Sequence, residues 1–325
     1  MRYEIPITVG VCFPPGAVDA PVLSAERRDG AHRRLRALLP GAEVVVLATC
    51  QRTEVLLVGV TVGEAITAWH VALEVALSDR PSCLIAPADP YVHVGEEALR
   101  HACRLACGLD SAIVGESDIG AQLRAAHRGA DELGTLGPVT RRLLRAAFAT
   151  AKTARATTAI GSAPRGASAA AAEAIGQRRP GAAVAVVGTG IAAKGVLRHL
   201  LRTDRPVTVL GRDPGRARDL ASSVGASWGS LGALDAALRD AGALVVTIPG
   251  PSPIIAEALA RPAQWAPDLL VIDMGTPPCV AQGDGIELVT LVDLTCGAID
   301  QEVLAAVPKV EALIDRACDA VGMHA

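Results

Sequence analysis

Residues 183–193 read Ala183-Val-Ala-Val-Val-Gly-Thr-Gly-Ile-Ala-Ala193, an apolar run that passes directly into a glycine-rich turn. The run has the length and composition of a buried strand. Gly188 permits a tight turn, Gly190 lets the backbone approach a pyrophosphate, and the small Ala193 allows the next helix to pack closely. This strand–turn–helix context predicts a dinucleotide site, with amide donors at the start of the helix. The predicted contacts are Gly188, Thr189, Gly190, Ile191, Ala192 and Ala193.

Strands and helices alternate in the chain that follows this turn. Apolar runs predict further buried strands at 206–210, 243–248, 269–273 and 286–291. Such alternation is typical of an α/β fold with an open, doubly wound parallel sheet of the Rossmann type. Thr247, near the end of one of these strands, is a further expected cofactor contact.

The end of the second strand carries Gly211-Arg212-Asp213, at the place where such a fold binds the adenosine ribose. Arg212 is placed to pair with a 2′-phosphate, and Arg216 would assist it. Asp213 leaves an alternative, because a shift of one or two residues would make it the carboxylate that binds a ribose 2′-hydroxyl in NAD enzymes. Pro214-Gly215 assigns Asp213 to the turn, so the sequence favours NADPH.

The N-terminal half predicts a separate α/β domain. It begins with a strand at Ile5–Cys12 and an amphipathic helix at Ser24–Leu39, with Ser24 as its N-cap. Two strands follow at Glu43–Ala48 and Val55–Val60, and a long helical region extends over Gly95–Ala163. The length of 325 residues suits two domains. We expect a catalytic domain at 1–160, a nucleotide domain at 161–298 and a C-terminal helix at 299–325.

A polar stretch, Thr49-Cys-Gln-Arg-Thr-Glu54, separates two β-branched runs. A thiol on a turn held between buried strands can reach a substrate, and a thiolate is both a strong nucleophile and a good leaving group. If the stretch is extended, Cys50 and Arg52 point to the same side. Arg52 would then favour the thiolate or bind a substrate carboxylate. From these residues alone, a structural Cys–Arg pair stays open.

This stretch is one of several motifs that occur in a fixed order along the chain. The others include Tyr91-Val-His-Val-Gly-Glu-Glu-Ala-Leu-Arg-His101, Gly108-Leu-Asp-Ser-Ala-Ile-Val-Gly-Glu116, Gly134-Thr-Leu-Gly-Pro138 and Ala151-Lys-Thr-Ala-Arg155. Together with the glycine-rich turn they resemble the glutamyl-tRNA reductase family, over about residues 1–315.

The resemblance implies that Cys50 attacks the ester of glutamyl-tRNA and releases tRNA, and that NADPH reduces the thioester to glutamate-1-semialdehyde for tetrapyrrole (porphyrin) synthesis. It implies that Arg52 holds the substrate carboxylate and that His101 assists proton transfer. Without the resemblance, His101 is read as a packed histidine on an apolar helix. Other family pocket positions are occupied by Thr49, Glu54, Ser111, Glu116 and Gln122. A charged tRNA and a downstream aminotransferase are the implied partners.

Four features depart from the family pattern. Gln51 replaces an Asn, Ser117-Asp118 replaces Pro-Gln, Cys12-Phe13 replaces a polar residue and a histidine, and the sequence ends at Ala325. We therefore expect a short form without the family's C-terminal dimerisation domain. Two alternatives stay open: a specialised paralogue that reduces another aminoacyl-tRNA or thioester in secondary metabolism, and a non-catalytic regulator that binds nucleotide or tRNA.

The net charge, the arginine runs and the spacing of the cysteines limit which kinds of protein the chain can be. The net charge of −3 gives no overall signal for nucleic acid, so a tRNA would need local basic patches. Two arginine runs are candidates, or else solvated helix faces: Arg27, Arg28, Arg33, Arg34 and Arg36, and then Arg141, Arg142 and Arg145. The eight cysteines lack metal-ligand spacing, and Cys103 and Cys107 fit a helix core, so no metal site is predicted. We expect a cytoplasmic protein, because neither a signal peptide nor a membrane span is recognised.

The predicted C-terminal helix, Asp300–Val321, carries an apolar stripe at helical spacing. Its members are Val303, Leu304, Val307, Val310, Leu313, Ile314 and Ala317. Two arrangements would cover it: packing on the chain's own nucleotide domain, or pairing with the same helix of a second chain in a homodimer. Pro308 predicts a kink in either arrangement.

Overall fold

The structure is a computed structural model that describes residues 4–12, 25–49, 51–77, 90–162, 166–248, 250–261, 265, 268–276, 278–283, 285–295 and 301–322. The described residues fall into two compact units. One contains those from 4 to 162 and the C-terminal helix, and the other contains those from 166 to 295. In the described part of the chain, no helix has both the length and the apolar character needed to cross a membrane.

The first unit is built on an antiparallel sheet with strand order β2-β3-β1-β4. Its elements are β1 (Pro6–Cys12), α1 (Ala25–Leu38), β2 (Glu43–Ala48), β3 (Arg52–Val58), α2 (Val62–Leu77), β4 (Tyr91–Val94), α3 (Glu96–Cys107), α4 (Asp118–Glu132) and α5 (Pro138–Thr157). Val44 and Val46 pack with α1 and α2, whereas Val45 and Leu47 pack with α3, α4 and α5. Both faces of this sheet are therefore covered, as the period of two in the strand requires.

The second unit contains a six-stranded parallel sheet with the order β10-β9-β8-β5-β6-β7. Its elements are α6 (Ala167–Arg178), β5 (Ala183–Val187), α7 (Ile191–Leu200), β6 (Val207–Gly211), α8 (Pro214–Ser222), β7 (Ser227–Ser230), α9 (Leu234–Asp240), β8 (Ala241–Val246), α10 (Pro253–Leu259), β9 (Leu269–Asp273), β10 (Ile286–Thr290) and α11 (Leu291–Thr295). Strand order reverses between β5 and β8, as in the Rossmann fold. The predicted fold class is confirmed.

The C-terminal helix, α12 (Gln301–Val321), belongs to the first unit and continues through Pro308. Its buried side chains, which pack with α3 and α5, are Val303, Ala306, Val310, Ile314 and Cys318. The Arg100 guanidinium also pairs with Asp315 at 2.5 Å. The surface that covers these side chains therefore lies on α3 and α5 of the same unit, which was neither of the two arrangements expected from the sequence.

The stretch around Cys50 differs most from the sequence-based expectation. β3 begins at Arg52 and not at Val55, because every residue from Arg52 to Val58 pairs with β1. The amide of Thr49 donates to the carbonyl of Arg52 at 2.9 Å, which closes a tight turn. Thr49 and Arg52 thus lie at the two ends of this turn, whereas the predicted orientation of Cys50 relative to Arg52 falls on a residue outside the described part of the chain. Ser24, like Cys50, lies outside the described residues.

Candidate functional site

The start of β3 places two charged side chains inside the first unit. Arg52 and Glu54 are each only 4% exposed, and Arg52 Nη1 donates to Glu54 Oε1 at 2.9 Å. Charged side chains are almost never fully buried unless they are paired, so this pair indicates a specific arrangement. It begins two positions after Cys50, the predicted nucleophile, which lies outside the described residues.

Arg52 is held by several groups. Its Nη2 donates to the carbonyl oxygen of Asp110 at 2.6 Å and lies 3.7 Å from Cys12 Sγ. Burial alone would lower the pKa of Arg52, but the charge of Glu54 outweighs it and raises that pKa. The guanidinium has five N–H donors, and within the described residues its Nε–H and one Nη1–H make no hydrogen bond.

Glu54 is the centre of the buried cluster. Its Oε1 accepts from Arg52 and, at 2.5 Å, from the Tyr91 hydroxyl, while Oε2 lies 3.1 Å from His101 Nε2. Burial alone would raise the pKa of Glu54, but the charges and hydrogen bonds of His101, Arg52 and Tyr91 lower it to about 2. The carboxylate is therefore ionised at neutral pH and only accepts hydrogen bonds.

This ionised carboxylate determines which ring nitrogen of His101 faces it as a hydrogen-bond donor. Since Glu54 can only accept, His101 Nε2 carries a proton and donates it, which leaves Nδ1 as the proton acceptor of the neutral ring. Nδ1 lies 3.8 Å from Asp110 Oδ2, beyond hydrogen-bond distance, and makes no hydrogen bond within the described residues. His101 is thus oriented as a general base or acid through Nδ1.

Two side chains of β4 pack against His101. The ring of His93 stacks on that of His101 with centroids 4.7 Å apart, and the Tyr91 ring lies 5.5 Å from it. Burial and the neighbouring His101 lower the pKa of His93, so His93 is neutral at pH 7. Burial and the charge of Glu54 raise the pKa of Tyr91, which keeps its hydroxyl a donor.

Gly10 on β1 provides the space for this cluster. It pairs with Glu54 on one side and with Tyr91 on the other. A Cβ at Gly10 would lie 2.5 Å from Glu54 Cγ, 2.9 Å from the Thr53 carbonyl oxygen and 3.0 Å from the Tyr91 hydroxyl. The Glu54–Tyr91 hydrogen bond therefore runs across a position that only glycine can occupy.

Asp110 connects the cluster to the C-terminal helix. Its carboxylate accepts from Arg104 Nη2 at 2.6 Å and from Nε at 3.0 Å. Arg104 Nη1 in turn pairs with Glu311 of α12. The ion pairs of Arg104 with Asp110 and Glu311 thus hold in place the Asp110 carbonyl oxygen that accepts a hydrogen bond from Arg52.

The other predicted substrate residues differ in what they contact. Thr49 Oγ1 accepts from the amides of Gln51 and Arg52 at 3.1 Å, and so stabilises the turn. Ser111 donates to Glu116 at 3.1 Å, and the Glu116 carboxylate accepts from two amides at the start of α4 at 2.7 and 2.9 Å. Gln122 is half-buried on α4 and makes no side-chain hydrogen bond within the described residues.

The glycine-rich turn of the second unit has room for a phosphate group. Gly188 has φ +119°, and a Cβ there would lie 2.3 Å from Thr247 Oγ1. At Gly190, by contrast, a Cβ would meet no atom within 4 Å, so open space adjoins the start of α7. Thr189 and Ala192 are half-buried, Ile191 is exposed and Ala193 is fully buried against the sheet. These features fit a bound pyrophosphate at the helix N-terminus.

The contacts at the end of β6 distinguish the acidic candidate for binding the ribose, Asp213, from the basic candidate, Arg212. Asp213 Oδ1 accepts from the amides of Gly215 and Arg216 at 2.9 and 3.1 Å, so this carboxylate caps α8. Arg212 is exposed and has no carboxylate within ion-pair distance among the described residues. Arg216 Nε lies 3.6 Å from Asp213 Oδ2. Thr247, the other predicted cofactor contact, donates its hydroxyl to the Val187 carbonyl at 2.8 Å.

Sequence reasoning assigned no role to Tyr91, His93 or Asp110, although all three stand inside motifs noted for the family resemblance. The spacing of Tyr91 and His93 by two residues was a usable signal, since it puts both on one face of a strand. Asp110 gave no such signal, because its contact with Arg52 uses a main-chain oxygen.

Two family models match the chain. Glutamyl-tRNAGlu reductase, N-terminal domain, matches residues 18–158, and shikimate / quinate 5-dehydrogenase matches residues 170–296. The glutamyl-tRNA reductase of Deinococcus radiodurans is 33% identical over 291 residues, which cover 84% of this chain and 79% of that protein. That of Chloroflexus aurantiacus is 34% identical over 280 residues, covering 78% of this chain and 62% of that protein.

A solved structure is also similar. Glutamyl-tRNA reductase from Methanopyrus kandleri matches with a TM-score of 0.51 and 28% identity, covering 98% of this chain and 80% of that one. The chain spans less than two thirds of some relatives, with 62% of the Chloroflexus aurantiacus protein and 64% of the one from Stutzerimonas stutzeri.

Proposed function

Because the chain belongs to the glutamyl-tRNA reductase family, we propose that it reduces glutamyl-tRNA to glutamate-1-semialdehyde with NADPH, through a thioester on Cys50. The observation that carries the proposal is the buried cluster of Arg52, Glu54 and His101, which begins two residues after Cys50. An ionised carboxylate that fixes the proton on one nitrogen of a histidine is a common device for acid–base catalysis.

In the first step, the Cys50 sulfur attacks the ester carbonyl carbon. A C–S bond forms, the bond from that carbon to the ribose oxygen breaks, and tRNA leaves. His101 Nδ1 takes the thiol proton and returns it to the ribose oxygen. Glu54 keeps the imidazole in the required tautomer and stabilises its cationic form.

The thioester is then reduced to the aldehyde. Bound NADPH would supply the hydride, held at Gly188, Gly190 and the start of α7 and selected by Arg212 through its 2′-phosphate. The C–S bond breaks as the aldehyde leaves, and His101, after taking up a second proton from solvent at Nδ1, would protonate the departing thiolate. The aldehyde is the expected substrate of a downstream aminotransferase.

Substrate selection would rest on the N–H groups of Arg52 that Glu54 and Asp110 leave free. They are proposed to bind the glutamate side-chain carboxylate, with Thr49, Ser111, Glu116 and Gln122 as the remaining pocket positions. A neutral side chain would leave those N–H groups of Arg52 without an acceptor, which costs more than a missing apolar contact.

The test is an assay of the purified full chain with NADPH and a panel of charged tRNAs, with chemical trapping of any aldehyde. We expect product from glutamyl-tRNA, and none from the Cys50→Ser variant, because serine has no comparable anion at neutral pH. Binding of NADPH by that variant should be unchanged.

Each other result has a definite meaning. Aldehyde from another aminoacyl-tRNA alone would identify a specialised paralogue, and no aldehyde from any charged tRNA would leave a non-catalytic binder. Normal turnover by the serine variant would remove Cys50 from the mechanism.

A further inference from the structure

Two neighbouring helices of the first unit present one continuous basic face. Its residues recur at intervals of three and four, the spacing of a single helix face. The members on α5 are Arg141, Arg145, Phe148, Lys152 and Arg155, and those on α4 are Arg124, His127, Arg128 and Asp131. We refer to this set as the basic face.

Contacts between the helices join the two halves of the basic face. The guanidinium of Arg124 lies 5.8 Å from the centroid of the Phe148 ring, and the His127 ring lies 5.8 Å from the same ring. Arg141 pairs with Asp131 at the other end. The side chains therefore form one surface and not two separate stripes.

Most cations of the basic face have no counter-ion. Arg124, Arg128, Arg145 and Lys152 are exposed, and within the described residues no carboxylate lies within ion-pair distance of them. Asp131 is occupied by Arg141. Burial and the charges of Arg155 and Arg128 lower the pKa of Arg124, which reflects mutual repulsion.

Two arginines elsewhere in the same unit are each paired with two carboxylates. Arg100 pairs with both Glu96 and Asp315, and Arg104 pairs with both Asp110 and Glu311. On the basic face, by contrast, four cations have no carboxylate within ion-pair distance in the described part of the chain. Such a surface favours a polyanionic partner.

Arg155 connects the basic face to the candidate site. Its Nη1 donates to the carbonyl of Gly115 at 2.9 Å, and its Nη2 donates to that of Glu116 at 3.0 Å. The segment held in this way also contains Asp110 and Ser111. One end of the basic face is therefore fixed beside the residues expected to receive the aminoacyl group.

We propose that the basic face binds the phosphate backbone of the tRNA arm that carries the aminoacyl ester, an assignment that rests on the proposed function for the identity of the RNA. Along α5, Arg141 and Arg155 are fourteen residues apart, about 21 Å, a length that reaches several phosphates. Phosphate contacts of this kind position a nucleic acid without reading its sequence. The face would direct the acylated end towards the Arg52–His101 cluster.

Two arginines of the other basic run, on α1, have partners within the first unit. Arg34 lies 3.9 Å from Glu74, and Arg36 donates to the carbonyl of Leu133 at 2.6 Å. The triple variant Arg33→Gln/Arg34→Gln/Arg36→Gln on α1 is therefore a matched control that removes the same number of charges. The test variant is Arg128→Gln/Arg145→Gln/Lys152→Gln, which leaves Arg124 and Arg155 in place.

The experiment measures binding of unacylated glutamate tRNA by fluorescence anisotropy over a series of salt concentrations. The test variant should bind about tenfold or more weakly, and its plot of log Kd against log salt should lose a slope of about 2–3, one unit or slightly less per phosphate contact. The α1 variant should bind as the wild type does. Circular dichroism would show that both variants are folded.

Equal losses in the two variants, or no loss in the test variant, would overturn the proposal, as would binding of phosphatidylserine vesicles in place of tRNA. The reductase assay separates this from the proposed function. If the wild type forms no aldehyde but the test variant loses tRNA binding, the proposed function fails and the basic face stands. If aldehyde forms and the test variant has unchanged KM and tRNA affinity, the basic face fails alone.

Discussion

Glu54 holds a full negative charge where almost no solvent reaches it. Removing a carboxylate from water is costly, and the cost is offset here by Arg52, Tyr91 and His101 together. None of these partners is close in sequence except Arg52. The charge therefore depends on the correct assembly of β1, β3, β4 and α3.

Replacing this carboxylate should be strongly destabilising. We expect Glu54→Gln to lower the free energy of unfolding of the first unit by about 3–5 kcal/mol at pH 7, because it leaves a buried Arg52 without its counter-charge. Urea unfolding can be followed by the fluorescence of Trp69, which is fully buried in this unit, after Trp228 and Trp265 are changed to phenylalanine in all variants. The exposed Glu74→Gln is the control.

The same pair of variants gives a pH signature. The folded pKa of Glu54, about 2, lies below its ordinary value of 4.5, so its contribution is present above pH 4.5 and is lost as the pH falls towards 2. The difference between wild type and Glu54→Gln should therefore shrink by about 2 kcal/mol between pH 7 and pH 3. A difference that stays constant over this range would show that the charge of Glu54 is not what stabilises the cluster.

Arg212 is the residue that should determine cofactor choice. We expect Arg212→Ala to weaken binding of NADPH by about 1.5–3 kcal/mol, roughly tenfold to a hundredfold, through loss of a charge-assisted contact with the 2′-phosphate. Affinity for NADH should change little. Isothermal titration with both nucleotides measures this, with Arg218→Ala on α8 as the control. Equal losses for the two nucleotides would show that Arg212 does not bind the phosphate.

At the scale of the elements, the hairpin between β2 and β3 shows where sequence patterns are insufficient. The two β-branched runs predicted both strands, but polar residues at 52–54 were assigned to the turn. They belong to β3 because Thr53 and Glu54 pair with β1, and because their polar groups find partners on β4 and α3. Hydrophobic periodicity cannot detect a strand whose buried residues are charged.

The C-terminal helix α12 should act as part of the first unit's core. Ile314 is fully buried among side chains of α3 and α5, so Ile314→Ala should lower the free energy of unfolding by about 2–5 kcal/mol. Leu304 on the same helix is 36% exposed, and Leu304→Ala should cost less than about 1 kcal/mol. The Trp69 signal in urea reports both. Similar small effects would mean that α12 does not fold with this unit.

At the scale of the whole molecule, the sequence allowed the architecture to be predicted but only part of the candidate site. The glycine-rich turn and five of the six parallel strands follow from short-range patterns, which need no knowledge of the rest of the chain. The edge strand β7 was missed, because its sequence, Ser227-Trp-Gly-Ser230, has no apolar run. The roles of Tyr91 and Asp110 were missed because they depend on pairing between segments far apart in sequence.

Assembly through α12 should not occur. Pairing of this helix with a second copy would require its apolar stripe to be exposed, and most of that stripe is covered by α3 and α5, with Leu304 left 36% exposed. We expect light scattering of the full chain at tens of micromolar to give the mass of a monomer. A dimer that is disrupted by Leu304→Glu, on the exposed side of α12, would contradict this expectation.

Gly10 restricts which residues can stand at positions 54 and 91 of the chain. A single methyl group there would occupy the path of the Glu54 side chain to Tyr91. Alanine at this position is therefore compatible only with a chain in which Glu54 or Tyr91 has already become smaller or turned away. Among descendants of this protein, a replacement of Gly10 should therefore occur together with a replacement of Glu54 or Tyr91. A gene in which Gly10 alone is replaced should be lost, although glycine has no functional group of its own.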